Sequence, residues 1–283
     1  MGEPSLPGAA SPPRRGPAPD LLARLRAGSR IAGMQCFTAS PVMVEAMGQG
    51  KLDFTIVDME HCPTTLETLA HLLRAADASG VAPLVRVPEL DASLIGRVLD
   101  LGAQGIVLPH ASVQRCELAL AAARYAPEGD RGACPVVRAA GYLPAVWQAH
   151  ARASNRDVLV VPLVEDETAV NEIDAIFAID GIEVVFLGPF DLAVSMGLGG
   201  ADYRHPKLME ILERVVASAR KHGKHVMTTV GATIDEQYAA GLVAKGVTCL
   251  SFSADVAVFL AACRRISNTV APAKAGAEPA SPT

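Results

Sequence analysis

Short runs of hydrophobic residues recur along most of this chain and alternate with longer amphipathic stretches. The runs are rich in Val, Ile and Leu, which is the pattern of parallel strands buried on both faces. They are IAGMQCF (31–37), FTIVD (54–58), PLVRV (83–87), GIVLP (105–109), VLVVPLVE (158–165), EVVFLG (183–188), HVMTTV (225–230) and TCLSFS (248–253). Helices are predicted near residues 40–48, 65–79, 91–101, 112–123, 167–177, 207–222, 233–244 and 255–266. This alternation predicts a single (β/α)8 barrel.

Residues that end and start helices support these boundaries. Gly80 and Gly102 stand where helices should end, and Asp91 and Thr233 stand where N-caps are expected. Residues 127–147 form a longer excursion after the fourth helix, which we expect to hold a short helix and to contribute to the active site. A doubly wound sheet is the structural alternative, but it requires a glycine-rich first turn, and CFTASP after the first strand provides none.

The two ends of the chain differ from the alternating region in composition. Residues 1–28 are rich in Pro and Gly, and residues 268–283 are rich in Ala and Pro. Such segments bury too little apolar surface to offset the conformational entropy that is lost on folding. We therefore expect two disordered tails that flank one barrel domain over residues 29–267.

Polar side chains stand where several of the hydrophobic runs end. They are Asp58, Glu60 and His61 after the second run, Arg86 in the third, Glu165 at the end of the fifth and Asp191 after the sixth. The C-terminal ends of the strands form one face of a (β/α)8 barrel, and this face carries the active site. The sequence therefore predicts that these carboxylates, the imidazole and the guanidinium lie together.

Glu165 and Asp191 are predicted to bind a divalent metal ion. Each follows an apolar strand, where a carboxylate without a partner would be costly to bury. Two carboxylates that leave positions open for water suit a hard ion such as Mg²⁺ or Mn²⁺. The alternative is that each carboxylate only caps the following helix. Their shared place at the barrel rim favours the metal.

Proton transfer and anion binding are assigned to the second and third strands. His61 is the predicted general base, because an imidazole exchanges protons near neutral pH, and His110 after the fourth strand is its competitor. Arg86 is predicted to stabilise oxyanion charge, although it could instead be a packed surface residue. Residues 188–191 (GPFD) offer backbone N–H groups for a substrate carboxylate. No lysine ends a predicted strand, which favours metal activation over a Schiff base.

The composition restricts the possible partners. Lys and Arg number 25 against 30 Asp and Glu, and this net charge of −5 argues against nucleic acid as the main partner. No apolar stretch approaches the ~20 residues that span a bilayer, so no membrane segment is expected. The 6 cysteines lack CxxC spacing and indicate reduced thiols in a cytoplasmic enzyme. Cys62 adjoins His61, but neighbours in sequence rarely form a catalytic pair.

Several motifs in a fixed order resemble those of the HpcH/HpaI class II aldolase family, and the resemblance covers roughly residues 29–267. The motifs are DMEH (58–61), VR (85–86), LDLGAQGIVLP (99–109), YAPEGDRG (125–132), VEDETAV (164–170), GPFDLAVSMG (188–197) and HP (205–206). This family includes 4-hydroxy-2-oxoheptanedioate aldolase and 2-keto-3-deoxy sugar-acid aldolases. The resemblance implies a metal-dependent aldehyde-lyase that cleaves a 4-hydroxy-2-oxo acid to pyruvate and an aldehyde through an enolate.

The resemblance also implies a role for each matching residue. Glu165 and Asp191 match the ligands of Mg²⁺, Mn²⁺ or Co²⁺, and His61 matches the base, acting directly or through water. Arg86 matches the group that holds the pyruvate oxygen, and Asp100 matches an aspartate that supports the histidine. Asp58 and Glu60 would contact these catalytic residues and hold them in position without contacting the substrate. Gly188, Pro189, Phe190 and Asp191 would surround the pyruvate carboxylate.

The resemblance further implies a homo-oligomer, a trimer or hexamer, in which neighbours exchange the last helix. Departures from the family pattern are Leu163, where glutamine is common, Ala126, where proline is usual, and Phe190, where a small residue is common. Phe190 is expected to narrow the entrance to the site.

Two other functions remain open at this point. The same site would serve an oxaloacetate decarboxylase or a citrate-lyase-like enzyme acting on a CoA thioester, and the latter should show a basic patch, for which Arg131 and Arg138 are the nearby candidates. A non-catalytic barrel is the second alternative, because a fold alone does not establish a function.

Overall fold

The computed structural model describes residues 20–200, 202–231 and 233–270, and it contains a closed barrel of parallel strands. The strands are β1 (Ile31–Cys36), β2 (Phe54–Asp58), β3 (Ala82–Arg86), β4 (Gly105–Leu108), β5 (Leu159–Val164), β6 (Val184–Leu187), β7 (His225–Thr229) and β8 (Cys249–Ala254). Each strand pairs with its neighbour in sequence, and β8 returns to pair with β1. The predicted (β/α)8 barrel is therefore confirmed, and every predicted run is a strand.

Helices follow the strands and cover the outside of the barrel. They are α1 (Leu21–Arg26), α2 (Pro41–Gln49), α3 (Leu66–Ser79), α4 (Ala92–Asp100), α5 (Val113–Ala123), α6 (Trp147–Asp157), α7 (Glu167–Asn171), α8 (Ile173–Ala178), α9 (Pro189–Ser195), α10 (Pro206–His222), α11 (Glu236–Lys245) and α12 (Asp255–Val270). A short 3₁₀ turn spans Arg138–Ala140. Within the described residues, no helix combines the length and apolar character needed to span a membrane.

Side chains on each strand alternate between two apolar layers. Successive strand residues point to opposite faces, so one set of alternate residues fills the barrel interior and the other set packs beneath the helices. In β2 the interior residues are Phe54 and Ile56, and in β3 they are Ala82 and Leu84. The next interior positions on these two strands are Asp58 and Arg86. The interior therefore changes from apolar to charged toward the C-terminal ends of the strands.

A short helix at the N-terminal end of the barrel corrects the predicted boundary of the first tail. Helix α1 lies inside residues 1–28, and its Leu21, Leu22 and Leu25 are buried in the interior cluster. The spacing of these leucines gives one apolar face, which closes the barrel below the first layer of strand side chains. Arg24 pairs with Asp53 just before β2 and anchors the helix. The preceding residues 1–19 lie outside the described residues.

The second tail also begins later than predicted, because α12 continues to Val270, beyond residue 267. Residues 271–283 lie outside the described residues.

Two capping predictions had different outcomes. Asp91 caps α4 by accepting hydrogen bonds from the N–H groups of Ser93 and Leu94, as expected. Thr233 was the wrong choice for α11, which begins later and is capped by Asp235.

The excursion between α5 and β5 lies on the face opposite to the one predicted. It links a helix end to a strand start, and such connections lie at the N-terminal end of a barrel, whereas active sites occupy the other end. It contains the 3₁₀ turn and α6. Tyr125, Trp147 and His150 form an aromatic cluster there, with ring centroids 5.1–6.0 Å apart. Its expected contribution to the cavity of the same chain is therefore not found.

A buried carboxylate joins the last strand to the first at their C-terminal ends. Asp255, which is fully buried, accepts hydrogen bonds from the backbone N–H groups of Phe37 (2.9 Å), Thr38 (3.3 Å) and Val256 (2.8 Å). The Thr38 hydroxyl donates to its second oxygen. Asp255 therefore fixes the loop after β1 to the start of α12, where the barrel closes.

Replacing Asp255 by alanine should lower the free energy of unfolding by about 2–4 kcal/mol, because buried N–H groups of Phe37 and Thr38 lose their acceptor. Urea unfolding followed by circular dichroism measures this change. Asp255→Asn keeps one acceptor oxygen and should cost less. Asp235→Ala removes a half-buried cap on α11 and is the matched control, with an expected loss of about 1 kcal/mol. Equal losses for the two alanine variants would contradict the closing role of Asp255.

Candidate active site

A cavity of about 350 Å³ lies at the C-terminal ends of the strands. Its lining includes most of the predicted site, namely His61, Arg86, Gly188, Pro189, Phe190 and Asp191. Asp58, Glu60 and Glu165 contact or lie close to these residues. Residues from four separate segments of the sequence therefore meet at one opening, as the ends of the hydrophobic runs predicted.

Glu165 is a buried carboxylate held by the loop that follows the neighbouring strand. It is 6% exposed, and its Oε1 accepts a hydrogen bond from the backbone N–H of His110 at 2.7 Å. The His110 Nδ1 lies 3.2 Å from the same oxygen. His110 adopts a left-handed backbone conformation (φ +52°) that directs both groups to Glu165. His110, the competitor for general base, therefore positions Glu165.

Burial raises the pKa of Glu165 above its usual value, and the hydrogen bond from His110 opposes this rise. The negative charges of Asp191 and Glu60 also raise it. Both carboxylates are thus close enough to repel Glu165, and a bound cation would relieve that repulsion. Asp191 reaches this place from the first turn of α9, directly after β6.

A buried ion pair between Arg86 and Asp58 joins β3 to β2, and Asp58 also contacts the predicted base, His61. The Arg86 Nε donates to the Asp58 carboxylate and lies 3.3 Å from the Glu60 Oε2. Asp58, 1% exposed, also accepts a hydrogen bond from the backbone N–H of His61 at 2.6 Å. Asp58 therefore fixes the backbone of His61 and not its imidazole ring. The imidazole is exposed, and its Nε2 lies 3.7 Å from Glu60.

The chemistry of the donor set fits a hard divalent ion. Glu165 and Asp191 provide two carboxylates, and oxygen ligands are those that Mg²⁺ and Mn²⁺ prefer. Among the described residues, no group of three or more His, Cys, Asp and Glu side chains is arranged so that it could hold a metal ion, so the donor set consists of these two carboxylates alone. An ion bound by two carboxylates keeps positions open for substrate, which is the arrangement of a catalytic ion.

Asp100 is the predicted site residue that the structure does not bring to the cavity. It ends α4, so it lies at the N-terminal face of the barrel. Its Oδ1 accepts a hydrogen bond from the Arg131 Nη2 at 2.7 Å, and no contact within the described chain joins it to His61. The family motif predicted a site role for Asp100, but helix α4 places it away from the site of its own chain.

Another cavity, of about 490 Å³, opens at that N-terminal face and is not the candidate site. Its arginines Arg131 and Arg138 are paired with Asp100 and Asp77. Acids and bases that neutralise each other are typical of structural ion pairs. Carboxylates that crowd one another, Glu165 with Asp191 and Glu60, lie at the smaller cavity, and we therefore take that cavity as the candidate site.

Three further residues belong to the site and were missed by sequence reasoning. Phe37, after β1, lies 5.8 Å from the Arg86 guanidinium, measured to the ring centroid. Tyr203 lines the cavity from the loop after α9, and burial together with the Asp191 charge raises the pKa of its phenol. Asp255 holds the Phe37 backbone. Phe37 and Asp255 directly follow strands, so the strand-end signal could have found both, whereas Tyr203 has no such signal.

Comparison with known proteins identifies the family. The family model "HpcH/HpaI aldolase/citrate lyase" matches residues 32–262, and the chain belongs to this family of aldolases and lyases. The predicted resemblance is therefore confirmed.

Similar proteins support the same assignment over most of the chain. A 5-keto-4-deoxy-D-glucarate aldolase of Klebsiella pneumoniae is 32% identical over 238 residues, which is 83% of this chain and 90% of the relative. An HpcH/HpaI aldolase/citrate lyase family protein from Burkholderia cenocepacia has a TM-score of 0.81 and 31% identity, covering 88% of this chain and 98% of that one. An HpcH/HpaI aldolase from Desulfitobacterium hafniense has a TM-score of 0.83 and 29% identity, covering 89% and 98%.

Cys62 should be unreactive despite its position beside His61. Burial raises the pKa of its thiol to about 11, and the Asp58 carboxylate adds to the rise, so the nucleophilic thiolate is scarce at neutral pH. Alkylation by iodoacetamide, followed by peptide mass spectrometry from pH 7 to 10, should accelerate about tenfold per pH unit at Cys62 throughout. The exposed Cys263 is the internal reference. Rapid labelling of Cys62 at pH 7 would contradict this assignment.

Proposed function

We propose that this protein is a metal-dependent class II aldolase that cleaves a 4-hydroxy-2-oxo acid to pyruvate and an aldehyde. The observation that supports it is the meeting of Glu165, Asp191, Arg86 and His61 at one cavity. The name of the Klebsiella relative points to a 2-oxo sugar acid as one candidate substrate.

Glu165 and Asp191 are the proposed ligands of the ion, Mg²⁺, Mn²⁺ or Co²⁺. When bound, the ion supplies a Lewis acid for the 2-oxo acid. Glu165 is suited to this role because burial and neighbouring charges make its carboxylate costly to ionise alone. His110 holds one oxygen of Glu165 in place and limits its rotation.

Arg86 is proposed to bind the developing enolate oxygen. Its ion pairs with Asp58 and Glu60 run through Nε, so within the described chain the terminal Nη groups are left for the substrate. Phe37 covers the guanidinium and shields it from water. A preorganised donor of this kind stabilises negative charge without rearranging during the reaction.

His61 is proposed to take the proton of the C4 hydroxyl. The C3–C4 bond then breaks, its electron pair passes into the enolate of pyruvate, and the aldehyde leaves. Protonation of the enolate at C3 gives pyruvate. The exposed imidazole can exchange its proton with solvent, and Asp58 fixes its position through the backbone. The backbone of residues 188–191 remains the proposed cradle for the pyruvate carboxylate.

The citrate-lyase-like alternative loses its support from the two candidate arginines. Arg131 and Arg138 were the possible basic patch for the phosphates of CoA, but they lie at the opposite end of the barrel and are paired with Asp100 and Asp77. The Arg131 side chain is also buried. Decarboxylation of oxaloacetate uses the same site and is distinguished by adding an aldehyde acceptor.

Pyruvate methyl exchange should depend on the metal and on Glu165. In D₂O with Mg²⁺, Mn²⁺ or Co²⁺, NMR should show exchange of the methyl protons, and EDTA should abolish it. Glu165→Gln removes a charge with little change in shape and should slow exchange at least ~100-fold. It should also weaken Mn²⁺ binding in electron paramagnetic resonance titrations.

The control for this experiment is Glu167→Ala, which removes an exposed carboxylate two positions along the same segment and should retain exchange. Full exchange in the Glu165→Gln variant would sink the proposed metal site. Absence of exchange in the wild-type protein with every metal would favour the non-catalytic barrel.

We further propose that the protein is a homo-oligomer, with the trimer or hexamer of the family as the expected states. Every described side chain from Phe259 to Thr269 on α12 is exposed, and Val256, Phe259, Leu260 and Ile266 are large apolar side chains among the exposed residues of this helix. A helix that leaves its own barrel with an apolar face is suited to packing against a neighbouring copy.

Replacing Phe259 and Ile266 together by serine should dissociate the oligomer, because the two side chains are 66% and 68% exposed in the single chain and would be buried between copies. Light scattering coupled to size-exclusion chromatography should then give the mass of one chain. Asn268→Ser, on the same exposed part of α12, is the control and should leave the mass unchanged. A monomeric wild-type protein would refute the proposal.

A further inference from the structure

We propose that Gln35 binds the aldehyde half of the substrate and selects an aldehyde that carries a hydroxyl group on the carbon next to the carbonyl. The inference rests on the proposed aldolase function and adds a specificity-determining residue for the second substrate. It agrees with the 2-oxo sugar acid considered above, because the carbons of a sugar acid beyond the cleaved bond carry oxygen.

Gln35 enters the cavity from the barrel interior. Its register partner on β2 is Ile56, which belongs to the interior cluster, and both residues line the cavity. Ile31 and Gly33 are the interior positions that precede it on β1. Ile56 lies two residues before Asp58, so Gln35 is placed below the rim of the barrel. A neighbouring copy that packs on the mouth therefore leaves Gln35 within the cavity.

The amide of Gln35 is a polar group on an apolar floor. Ile56, Leu163 and Phe186 line the same cavity and offer it no hydrogen-bonding side chain. Within the part of the chain that the structure describes, no hydrogen bond engages the Gln35 amide, which is half-buried. Water can contact this amide while the cavity is open. A substrate that displaces the water must offer a partner of its own, since an unpaired amide is costly to bury.

An irregularity in the pairing of β1 with β8 leaves room beside Gln35. Met34 pairs with Phe252, but the register then shifts, and Gln35 pairs with Ala254. The residue passed over is Ser253, which has a left-handed backbone (φ +41°). A bulge of this kind redirects side chains and is common beside active sites. The longer amide is therefore opposite the small methyl group of Ala254, which also lines the cavity.

The place of β1 in the barrel assigns Gln35 to the aldehyde half. The proposed ion ligands Glu165 and Asp191 follow β5 and β6, and β5 lies across the ring of eight strands from β1. The proposed base His61 follows β2, which adjoins β1. In the proposed reaction, the 2-oxo acid group is bound at β5 and β6 and the C4 hydroxyl at His61. The carbons beyond C4 therefore extend toward β1 and β8.

The side chains of this wall are complementary to a hydroxyl group. Thr229 at the end of β7 and Ser253 in β8 line the cavity together with Gln35. An amide and a hydroxyl can each donate and accept a hydrogen bond. A substrate hydroxyl also does both, whereas a methyl group does neither. The wall therefore favours an aldehyde with a hydroxyl substituent over one with an alkyl substituent.

The test compares two aldehydes that differ in one group, glycolaldehyde and propanal, in the aldol direction at saturating pyruvate and Mn²⁺. The hydroxyl of the first takes the place of the methyl of the second, so their sizes match. Product is measured by chromatography, and kcat/KM for each aldehyde gives a glycolaldehyde to propanal ratio. Hydration of each aldehyde in water is the same for every variant, so it does not affect a comparison of this ratio between variants.

Two variants of Gln35 locate the selectivity, and neither changes the apolar core layers, to which Gln35 does not belong. Gln35→Met keeps the length of the side chain without its hydrogen-bonding groups and should lower the ratio about tenfold or more. Gln35→Ala should shift the ratio in the same direction. Both variants should keep pyruvate methyl exchange within about threefold of wild type, because this exchange needs no aldehyde. Gln114→Met, at an exposed glutamine on α5, is the matched control and should keep the wild-type ratio.

The outcomes separate this inference from the function on which it rests. Pyruvate exchange together with an unchanged ratio in both Gln35 variants would overturn the inference and leave the aldolase standing. Loss of exchange in these variants would assign Gln35 to the pyruvate half and would also overturn it. A wild-type protein that exchanges pyruvate but does not convert glycolaldehyde would contradict the inferred class of aldehyde. Absence of exchange in the wild-type protein with every metal would overturn both proposals.

Discussion

The buried ion pair between Asp58 and Arg86 determines the geometry of the site. The two residues are direct partners in the register of β2 and β3, so the barrel itself aligns them. Neither charge is tolerable alone at this depth, since removing one partner leaves the other buried and uncompensated. The same Asp58 carboxylate fixes the backbone of His61. The proposed base and the proposed anion-binding group are therefore both positioned by this ion pair, which the pairing of β2 with β3 aligns.

The alternation of side chains explains why most of this site could be predicted from the sequence. A parallel strand buried on both faces reads as one hydrophobic run, so the strands are recognised with little error. A charged residue that ends such a run must either form a structural pair with another group or take part in binding or catalysis. In a barrel, the C-terminal ends of all these runs share one face. Asp58, Arg86 and Glu165 satisfied this rule. The family motifs then supplied roles that spacing alone could not give.

The remaining features depend on distance in space, which the linear pattern does not contain. Six residues of α1 are too short for a periodic signal, yet three leucines bury against the barrel floor. Asp255 ends a run just as Glu165 does, but backbone N–H groups from the other end of the chain satisfy it, and its role is structural. Tyr203 enters the cavity from an irregular loop. The face on which Asp100 lies follows from helix direction, which a motif does not encode.

The site therefore has two parts: in one, the barrel strands determine the positions of the side chains, and in the other, the segments after the strands determine them. Glu165, Arg86 and His61 lie in or directly after strands, and their positions are constrained by register and by buried pairs. Phe190 and Tyr203 lie beyond the strands and outside the two apolar core layers, in segments that tolerate change more readily. In the proposed reaction, the residues that act on the 2-oxo acid are thus difficult to change without loss of the fold, whereas the residues at the acceptor end can vary. If the proposal holds, selectivity for the aldehyde should differ between members of the family more than the step at the 2-oxo acid.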